Sequence, residues 1–273
     1  MPELPEVETV KRALEKVLLH QKIVKTETFI EKMRYPVASL HKVPENSEII
    51  ALRRRGRYII VELNDLLCYV IHLGMSGSMR VVENNIPRNK HEHIMITLDN
   101  DLSWRFDCPR RFGFMVVEKL SLKGGEPESL AALGIEPFDE HFTGDYLYNK
   151  IHHRRVKIKS LLMDNAIVVG VGNIYANEVL FKCKISPFRT ANTILKRECV
   201  LLVKYIKETL ARAIEAGGTT IADFKGVDGK EGQFVQELLI YGKHGEECPI
   251  CQSPILKDVI GSRSAFYCKK CQK

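Results

Sequence analysis

Four cysteines close to the C-terminus constrain the fold of this chain more than any other feature. They form two Cys-x-x-Cys pairs, Cys248 with Cys251 and Cys268 with Cys271, and sixteen residues separate the pairs. In this pattern each pair supplies two thiolates to one tetrahedral Zn²⁺ ion, and a site with four thiolates is closed and therefore structural. A disulfide-bonded arrangement is the alternative. The spacing predicts a zinc finger with one structural zinc, which would supply the folding free energy that so short a segment lacks.

The composition is that of an ordinary globular protein. Of the 273 residues, 45% are hydrophobic and 27% are charged, and the length suits one large domain or two smaller ones. No segment reaches the roughly eighteen consecutive apolar residues of a membrane helix. The opening MPELPEVETVKR carries three glutamates where a signal peptide has a basic and then an apolar stretch. We therefore expect a soluble, intracellular protein with no membrane partner.

The first half of the chain predicts one helix followed by an antiparallel β-sandwich or barrel. After Pro5, apolar residues recur at helical spacing, so residues 5–19 are predicted to form an amphipathic helix. From residue 22 to 118, short β-branched runs alternate with Asn, Asp, Gly and Pro, a pattern typical of antiparallel strands. The predicted strands are Tyr58–Leu63, Cys68–Leu73, Met79–Val82, His93–Leu98 and Phe114–Glu118.

The second half is predicted to be helical. Helical periodicity returns after residues 124 and 125, which are both glycine, and includes a long segment over residues 195–214 that a Gly-Gly pair ends at 217–218. A charged, glycine-rich stretch over residues 225–232 is predicted to be a mobile loop. The chain is thus predicted to be an α+β protein of several domains.

The positive charge of the chain is clustered. The balance of 41 Lys and Arg against 34 Asp and Glu gives a net charge of +7. Clusters lie at residues 53–57, 110–111 and 152–159, each predicted in a polar connection, and six Lys and Arg oppose three Asp and Glu from residue 241 onward. For any one cluster, a solvated surface is the alternative. Together with a zinc finger, several clusters favour binding to the phosphates of a nucleic acid.

The Gly170–Tyr175 segment, GVGNIY, is predicted to join two helices. Glycines there would let backbone amides approach an anion at a helix N-terminus. They would equally allow two helices to pack closely. The segment is not a dinucleotide-binding fingerprint, because no parallel-strand unit precedes it.

Four separated pieces of sequence resemble the formamidopyrimidine-DNA glycosylase family of bacteria. They are MPELPEVETV, HLGMSGSMR with PRRFGF, MDNAIVVGVGNIYANEVLF, and the closing YCKKCQK, and they span the whole chain in the family's order. The resemblance implies an N-terminal β-sandwich with an N-terminal helix (1–130), a helix-two-turn-helix DNA-binding region (131–230) and a C-terminal zinc finger (239–273). It implies a bifunctional DNA glycosylase and AP lyase that removes oxidised purines, 8-oxoguanine and formamidopyrimidines, from double-stranded DNA. A monomer in the bacterial cytoplasm, associated with the nucleoid, is expected.

The resemblance also implies the chemistry of the N-terminus. Met1 is removed, the amine of Pro2 attacks the sugar C1′ and forms a Schiff base, and β,δ-elimination follows. An α-amine with a pKa near about 8 is roughly one-tenth neutral at pH 7, whereas fewer than about one lysine in a thousand is neutral. Glu3 is the expected acid that protonates the ring oxygen of the sugar. Glu6 either lies near this site or only stabilises the helix N-terminus.

Two arginines complete the catalytic set that the resemblance implies. Arg263, on the zinc finger, matches an arginine that contacts phosphate and assists the second elimination. Arg57 stands where the family usually has lysine, so we expect a phosphate clamp there rather than a proton donor, since arginine is always protonated. Cys108 stands where aspartate is common, and its neighbouring arginines suggest a thiol with a lowered pKa that is sensitive to oxidation.

Residues that contact DNA are implied in the same way. Met75, Arg110 and Phe112 match residues that fill the space left by a flipped base, where an apolar wedge and a guanidinium replace its stacking. By composition alone, Met75 and Phe112 would be core residues. The 225–232 loop lies where the family closes over the flipped purine. The remaining residues that match positions near the DNA backbone or the lesion are His91, Arg154, Lys159, Asn173 and Tyr241.

Two other functions stay open at this point. A glycosylase similar to endonuclease VIII would prefer oxidised pyrimidines, although the PELPEVET start favours the purine-specific branch. A zinc-dependent protein that binds damaged DNA without cutting it would show steep salt dependence but would not need Pro2.

Overall fold

The computed structural model describes residues 1–219 and 233–273. The chain divides into two compact units. The first, here the sandwich unit, contains Met1–Ala131 and, among the described residues, 217–219 and 233. The second, here the helical unit, contains Ala132–Ala216 and Phe234–Lys273. The predicted 225–232 loop lies outside the described residues.

In its described residues, the sandwich unit contains one α-helix and two four-stranded antiparallel sheets. Helix α1 spans Leu4–Leu18. The first sheet has the strand order β1-β6-β7-β5 and the second the order β2-β3-β4-β8. Two 3₁₀ helices, Ala38–Lys42 and Glu128–Leu130, lie in the connections. The strands are β1 (Ile23–Thr28), β2 (Ile49–Arg55), β3 (Tyr58–Leu63), β4 (Leu67–His72), β5 (Ser78–Glu83), β6 (Glu92–Leu98), β7 (Leu102–Asp107) and β8 (Phe114–Lys119).

One apolar core holds these elements together. Helix α1 places Val7, Val10, Leu14 and Leu18 on one face because of their helical spacing, and this face is buried in the same core as the inner faces of both sheets. Trp104 is 1% exposed in the centre of β7. The helix that begins at the chain's N-terminus is therefore anchored along its length.

The five predicted strands are all present, with ends shifted by at most one residue. The helix predicted over residues 5–19 spans Leu4–Leu18. Three further strands, β1, β2 and β7, were not predicted, because their charged residues hide the alternation of apolar side chains. Strand β7 carries a fully buried arginine, Arg105, between Trp104 and Phe106.

The helical unit contains four helices and a β-hairpin. Helix α2 spans Gly144–Ile151, α3 Ile158–Leu162, α4 Asn173–Lys182 and α5 Lys196–Glu215. The 3₁₀ helices Ala191–Thr193 and Phe234–Glu237 lie in the connections, and β9 (Leu256–Ile260) pairs with β10 (Arg263–Tyr267). Residues 174–181 of α4 are all buried, so this helix is the centre of the unit.

In the described parts of the chain, none of the helices combines the length and the apolar content that crossing a membrane requires. The three predicted domains and their bounds, 1–130, 131–230 and 239–273, stay a prediction.

Candidate functional site

The N-terminus of α1 holds two of the predicted catalytic residues. Glu3 precedes the first turn of the helix and is 4% exposed, and Pro2 is buried beside it. Met1 precedes Pro2 in the structure, so the proline nitrogen is a tertiary amide and carries no nucleophilic lone pair. Removal of Met1 would convert this nitrogen into an amine next to a buried carboxyl group.

Glu6 fastens this end of the helix. It is 1% exposed, and its Oε2 accepts the Glu3 N–H at 2.8 Å. Its Oε1 accepts the backbone N–H and the hydroxyl of Thr219, each at 2.8 Å. Gly218 has a φ of +81°, and a Cβ at this position would lie 3.1 Å from the Glu6 side chain. Glu6 therefore joins the N-terminus to the segment that leads toward residue 220, beyond any effect on the helix dipole.

The arginine cluster at residues 53–57 differs from the prediction. Arg53, Arg54 and Arg55 were expected in a polar connection, but they lie in β2. Each forms an ion pair with a carboxylate: Arg53 with Glu62, Arg54 with Glu8 at 2.9 Å, and Arg55 with Glu126 at 2.9 Å. Their charge is therefore balanced within the sandwich unit. Arg57 lies in the β2–β3 turn, after Gly56 with a φ of +56°.

Two loops bring three predicted DNA-binding residues together. Gly74 has a φ of +70°, and a Cβ there would lie 2.4 Å from the backbone nitrogen of Gly113. The loop carrying Met75 therefore lies in backbone contact with the loop carrying Arg110 and Phe112. Phe112 is 51% exposed, and the Arg110 guanidinium lies 5.1 Å from the centre of its ring. An exposed aromatic ring under a guanidinium is not a core residue, which was the alternative for Phe112.

His72, at the end of β4, holds one of these loops. Its Nδ1 accepts the Gly74 N–H at 3.0 Å, and its ring stacks on Phe114 with 5.7 Å between the ring centres. Burial, and then the charges of Arg57 and Arg34, lower the pKa of His72 to about 4. The ring is therefore neutral at pH 7 and keeps an unprotonated nitrogen for this bond. No sequence pattern distinguishes this histidine.

Cys108 does not have the predicted low pKa. The thiol is completely buried, and burial raises its pKa despite several backbone hydrogen bonds. The expected effect of the neighbouring arginines was wrong, because Arg110 and Arg111 are exposed to solvent while the sulfur is not. The Cys108 N–H donates to the carbonyl oxygen of His91 at 2.9 Å, which places the predicted His91 beside the same loop.

In the helical unit, Lys159 and Asn173 are brought together. Lys159 is 1% exposed, and its Nζ donates to Asn173 Oδ1 at 2.6 Å and to the Ser264 carbonyl oxygen at 2.9 Å. Asn173 is the first residue of α4, after the glycine-containing turn. Arg263 is exposed and precedes Ser264 at the start of β10, where Gly261 and Ser262, both with positive φ, form the hairpin turn.

Two buried polar residues of α4 bind the segment that precedes the finger and one strand of the finger itself. Glu178, 1% exposed, accepts the backbone N–H groups of residues 239, 240 and 241 at 2.8–3.0 Å. Asn177 Oδ1 accepts the Phe266 N–H at 2.8 Å, and the Tyr241 ring lies 5.1 Å from that of Phe266. Sequence analysis missed both α4 residues, although polar residues in an otherwise apolar helix were a usable signal. Arg154 pairs with Asp164 at 3.6 Å.

The four C-terminal cysteines fit a zinc ion. Their sulfur atoms all lie within 4.8 Å of one another, and the closer pairs are 3.4 Å and 3.8 Å apart. Zinc–sulfur bonds of about 2.3 Å in a tetrahedron require sulfur atoms about 3.8 Å apart. All the cysteines of the chain lie in its described part and are free thiols, so the disulfide alternative is not found there. The residues that would hold the metal are Cys248, Cys251, Cys268 and Cys271.

Known proteins match the whole chain. The formamidopyrimidine-DNA glycosylase N-terminal domain matches residues 1–115, the H2TH domain of the same glycosylase residues 133–225, and the zinc finger found in FPG and IleRS residues 245–273. A formamidopyrimidine-DNA glycosylase of Pasteurella multocida is 46% identical over 275 aligned residues, covering 100% of both chains. The MutM (FPG) crystal structure from Thermus thermophilus has a TM-score of 0.86 at 30% identity, covering 99% of this chain and 98% of that one. A Lactococcus lactis FPG mutant in complex with a Fapy-dG containing DNA has a TM-score of 0.89 at 32% identity, covering 100% of both chains.

Proposed function

We propose the roles of individual residues from one premise: this chain belongs to the formamidopyrimidine-DNA glycosylase family and is a DNA glycosylase for oxidised purines. AP lyase activity is typical of the family. The predicted family, the α+β fold with a zinc finger, the enzyme class and the single structural zinc are confirmed.

The observation that carries the proposal is the buried carboxyl of Glu3 directly after Pro2 at the N-terminus of α1. After removal of Met1, the Pro2 amine attacks C1′ of the damaged nucleotide, and the base leaves with the electron pair of the glycosidic bond. Glu3 protonates the ring oxygen of the sugar, so the bond between C1′ and this oxygen opens, and the amine, having lost its proton, becomes an iminium. A secondary amine gives an iminium with no N–H to lose, so the cation persists and favours β- and then δ-elimination.

We propose that three side chains occupy the space left in the DNA base stack when the damaged purine flips out, namely those of Met75, Arg110 and Phe112. Flipping a base costs a few kcal/mol. The backbone contact between their loops and the exposed Phe112 ring support this role, because a wedge must be both rigid and accessible.

The remaining site residues are proposed to hold the DNA backbone. Arg57 acts as a phosphate clamp, and Arg263 contacts phosphate and assists the second elimination. Lys159 and Asn173 act as one hydrogen-bonded unit, which the distance of 2.6 Å between them supports. The other proposed contacts are His91, Arg154 and Tyr241.

Zinc takes no part in the reaction, since four thiolates would leave no open position on the metal. We propose three functional parts: a catalytic region (1–130), a DNA-binding helical region (131–230) and the finger (239–273). The proposed partner is double-stranded DNA with oxidised bases, bound by a monomer at the nucleoid in the bacterial cytoplasm.

Borohydride trapping tests the proposal. The purified protein is incubated with a duplex that pairs 8-oxoguanine with cytosine, reduced, and digested for mass spectrometry. We expect a covalent adduct on an N-terminal Pro2. The Glu3→Gln variant should bind the duplex but excise the base about 100- to 10,000-fold more slowly.

The alternatives give different results in the same experiment. Stronger trapping on a thymine glycol duplex would indicate the pyrimidine-specific function. Tight lesion binding without an adduct, despite a free proline terminus, would indicate a non-catalytic DNA-damage binding protein. A protein that retains Met1 serves as the control and should bind without trapping.

A further inference from the structure

We propose that Arg105 is a positioning residue for DNA binding, because it holds the loop that carries His91. This loop, residues 84–91, connects β5 to β6. The inference rests on the proposed role of His91 as a DNA contact.

The guanidinium of Arg105 is fully buried, and all five of its N–H donors are used. Nε donates to the Ser103 hydroxyl at 3.2 Å, and Nη1 donates to Glu92 Oε2 at 3.2 Å. The other three bonds go to the carbonyl oxygens of Glu83, Ile86 and Pro87, at 3.4, 2.7 and 3.3 Å. Three of the five donors therefore bind backbone at or inside the 84–91 loop, and a guanidinium has no more donors to offer.

Glu92 closes the other end of the loop. It is 0% exposed, and it accepts the Asn89 N–H at 2.8 Å as well as hydrogen bonds from Arg80 and Arg105. A buried carboxylate and a buried guanidinium thus hold a loop in which every residue from 84 to 90 is exposed. Separating such a buried pair would leave uncompensated charges inside the protein, so the pair disfavours any opening of the loop that would separate it.

Of the basic residues in the loop, Lys90 and His91 are the two placed to contact a phosphate backbone, whereas Arg88 is not. Arg88 faces the protein, because its Nη1 donates to the Glu92 carbonyl oxygen at 3.0 Å and its guanidinium lies 4.2 Å from the Phe29 ring centre. Lys90 is exposed and His91 is half-buried. The His91 carbonyl oxygen accepts the Cys108 N–H at 2.9 Å, which joins this loop to the loop of Arg110 and Phe112.

The physical role of Arg105 is to order the loop before DNA binds. Ordering a mobile segment during binding costs free energy that lowers affinity. A loop already fixed from inside the sheet avoids that cost. Arg105 never needs to touch DNA for its loss to weaken the complex.

A double-mutant cycle on binding of a duplex with a tetrahydrofuran abasic-site analogue tests this. Arg105→Lys keeps the charge but loses the five-donor geometry, and it should weaken binding about tenfold. In a Lys90→Ala/His91→Ala background the same substitution should change affinity less than about twofold. Hydrogen exchange of residues 84–91 should quicken, while the rate of 8-oxoguanine excision at saturating enzyme stays unchanged. Lys25→Ala, on β1 of the same sheet, is the charge control.

Each other outcome counts against the inference. Equal weakening in both backgrounds would mean that Arg105 acts outside this loop, while the role of His91 stands. If the Lys90→Ala/His91→Ala protein with Arg105 intact bound the duplex as tightly as the wild-type protein, the proposed role of His91 and the inference would fall together, with Pro2 trapping unaffected. If Arg105→Lys does not fold, Arg105→Met/Glu92→Met removes both buried charges at once and enters the same cycle.

Discussion

The two ends of the chain are held by different means. At the N-terminus, Glu3 and Glu6 are almost completely buried, and hydrogen bonds from the backbone and Thr219 hold Glu6. At the C-terminus, a small apolar cluster that includes Phe181, Ile240 and Phe266 surrounds four cysteines placed for one metal ion.

The difference follows from the size of the core available to each end. Helix α1 is anchored in the large core of the sandwich unit, so its end can bury acidic groups where their chemistry is needed. The finger has too little apolar surface to fold alone, so metal binding supplies its stability. Three perturbations act on these ends or on a residue that contacts one of them, and a fourth acts on His72 in the sandwich unit.

Removal of zinc should have the largest effect. Chelation, or Cys268→Ser, should unfold residues 245–273 and abolish DNA cleavage, since structural zinc contributes on the order of 10 kcal/mol to such a fold. Helix α1 and the two sheets should stay folded. Two measurements check these statements: the zinc content of the protein, and hydrogen exchange along the chain followed by mass spectrometry. The control is Cys183→Ser, which replaces a cysteine outside the finger, and this variant should keep its zinc. Equal unfolding of both ends of the chain after zinc removal would contradict the comparison.

Glu6→Ala should loosen the N-terminal end. The substitution leaves two N–H groups and one hydroxyl without the Glu6 carboxylate, which should cost about 3–5 kcal/mol in the free energy of unfolding. Borohydride trapping at Pro2 should fall while the zinc content stays constant. Glu15→Ala, which loses only an ion pair with Lys11 on the same helix, should change stability by less than about 0.5 kcal/mol. Unchanged trapping in Glu6→Ala would show that the helix end is held elsewhere.

Lys159→Met should weaken the support of the finger without removing its metal. Asn173 Oδ1 loses the Lys159 donor, and the Ser264 carbonyl oxygen keeps only the longer bond of 3.4 Å from Asn177 Nδ2, at a cost of about 2–4 kcal/mol. Chemical denaturation and zinc affinity measure the two effects separately. The matched control is Lys204→Met, at an exposed position on α5. If Lys159→Met lost as much zinc as Cys268→Ser, Lys159 would be required for metal binding itself, which would contradict this prediction.

His72 should make stability depend on pH below neutrality. Its folded pKa of about 4 lies below the ordinary value of 6.5, so the unfolded chain binds a proton that the folded chain excludes. The stability that the neutral ring contributes is fully present above pH 6.5 and is lost as pH falls toward 4. His72→Asn keeps an acceptor for the Gly74 N–H but cannot titrate. Unfolding curves over this range should differ in pH dependence by about 1–3 kcal/mol, and identical slopes would contradict the assignment.

Sequence alone predicted the features that repeat or that match a motif. The spacing of Val7, Val10 and Leu14 indicated the helix, and the cysteine spacing indicated the finger. It did not predict which arginines are balanced by carboxylates, because Glu8, Glu62 and Glu126 reach residues 53–55 only after the sandwich folds. Sequence analysis also gave the wrong direction for the pKa shift of Cys108. The pKa is raised by burial, which depends on tertiary packing and not on the charges of neighbouring residues in the sequence.

The hydrogen bonds between Glu6 and Thr219 limit when the N-terminal end can finish folding during synthesis. The two residues are 213 positions apart, so the N-terminal end closes only after the first 219 of 273 residues have been made. A ribosome releases the N-terminus first, and contacts of such long sequence separation form late in folding. Pro2 is buried once the fold is complete. Removal of Met1 therefore belongs to the interval when the nascent chain has emerged and its last partner is still to be synthesised.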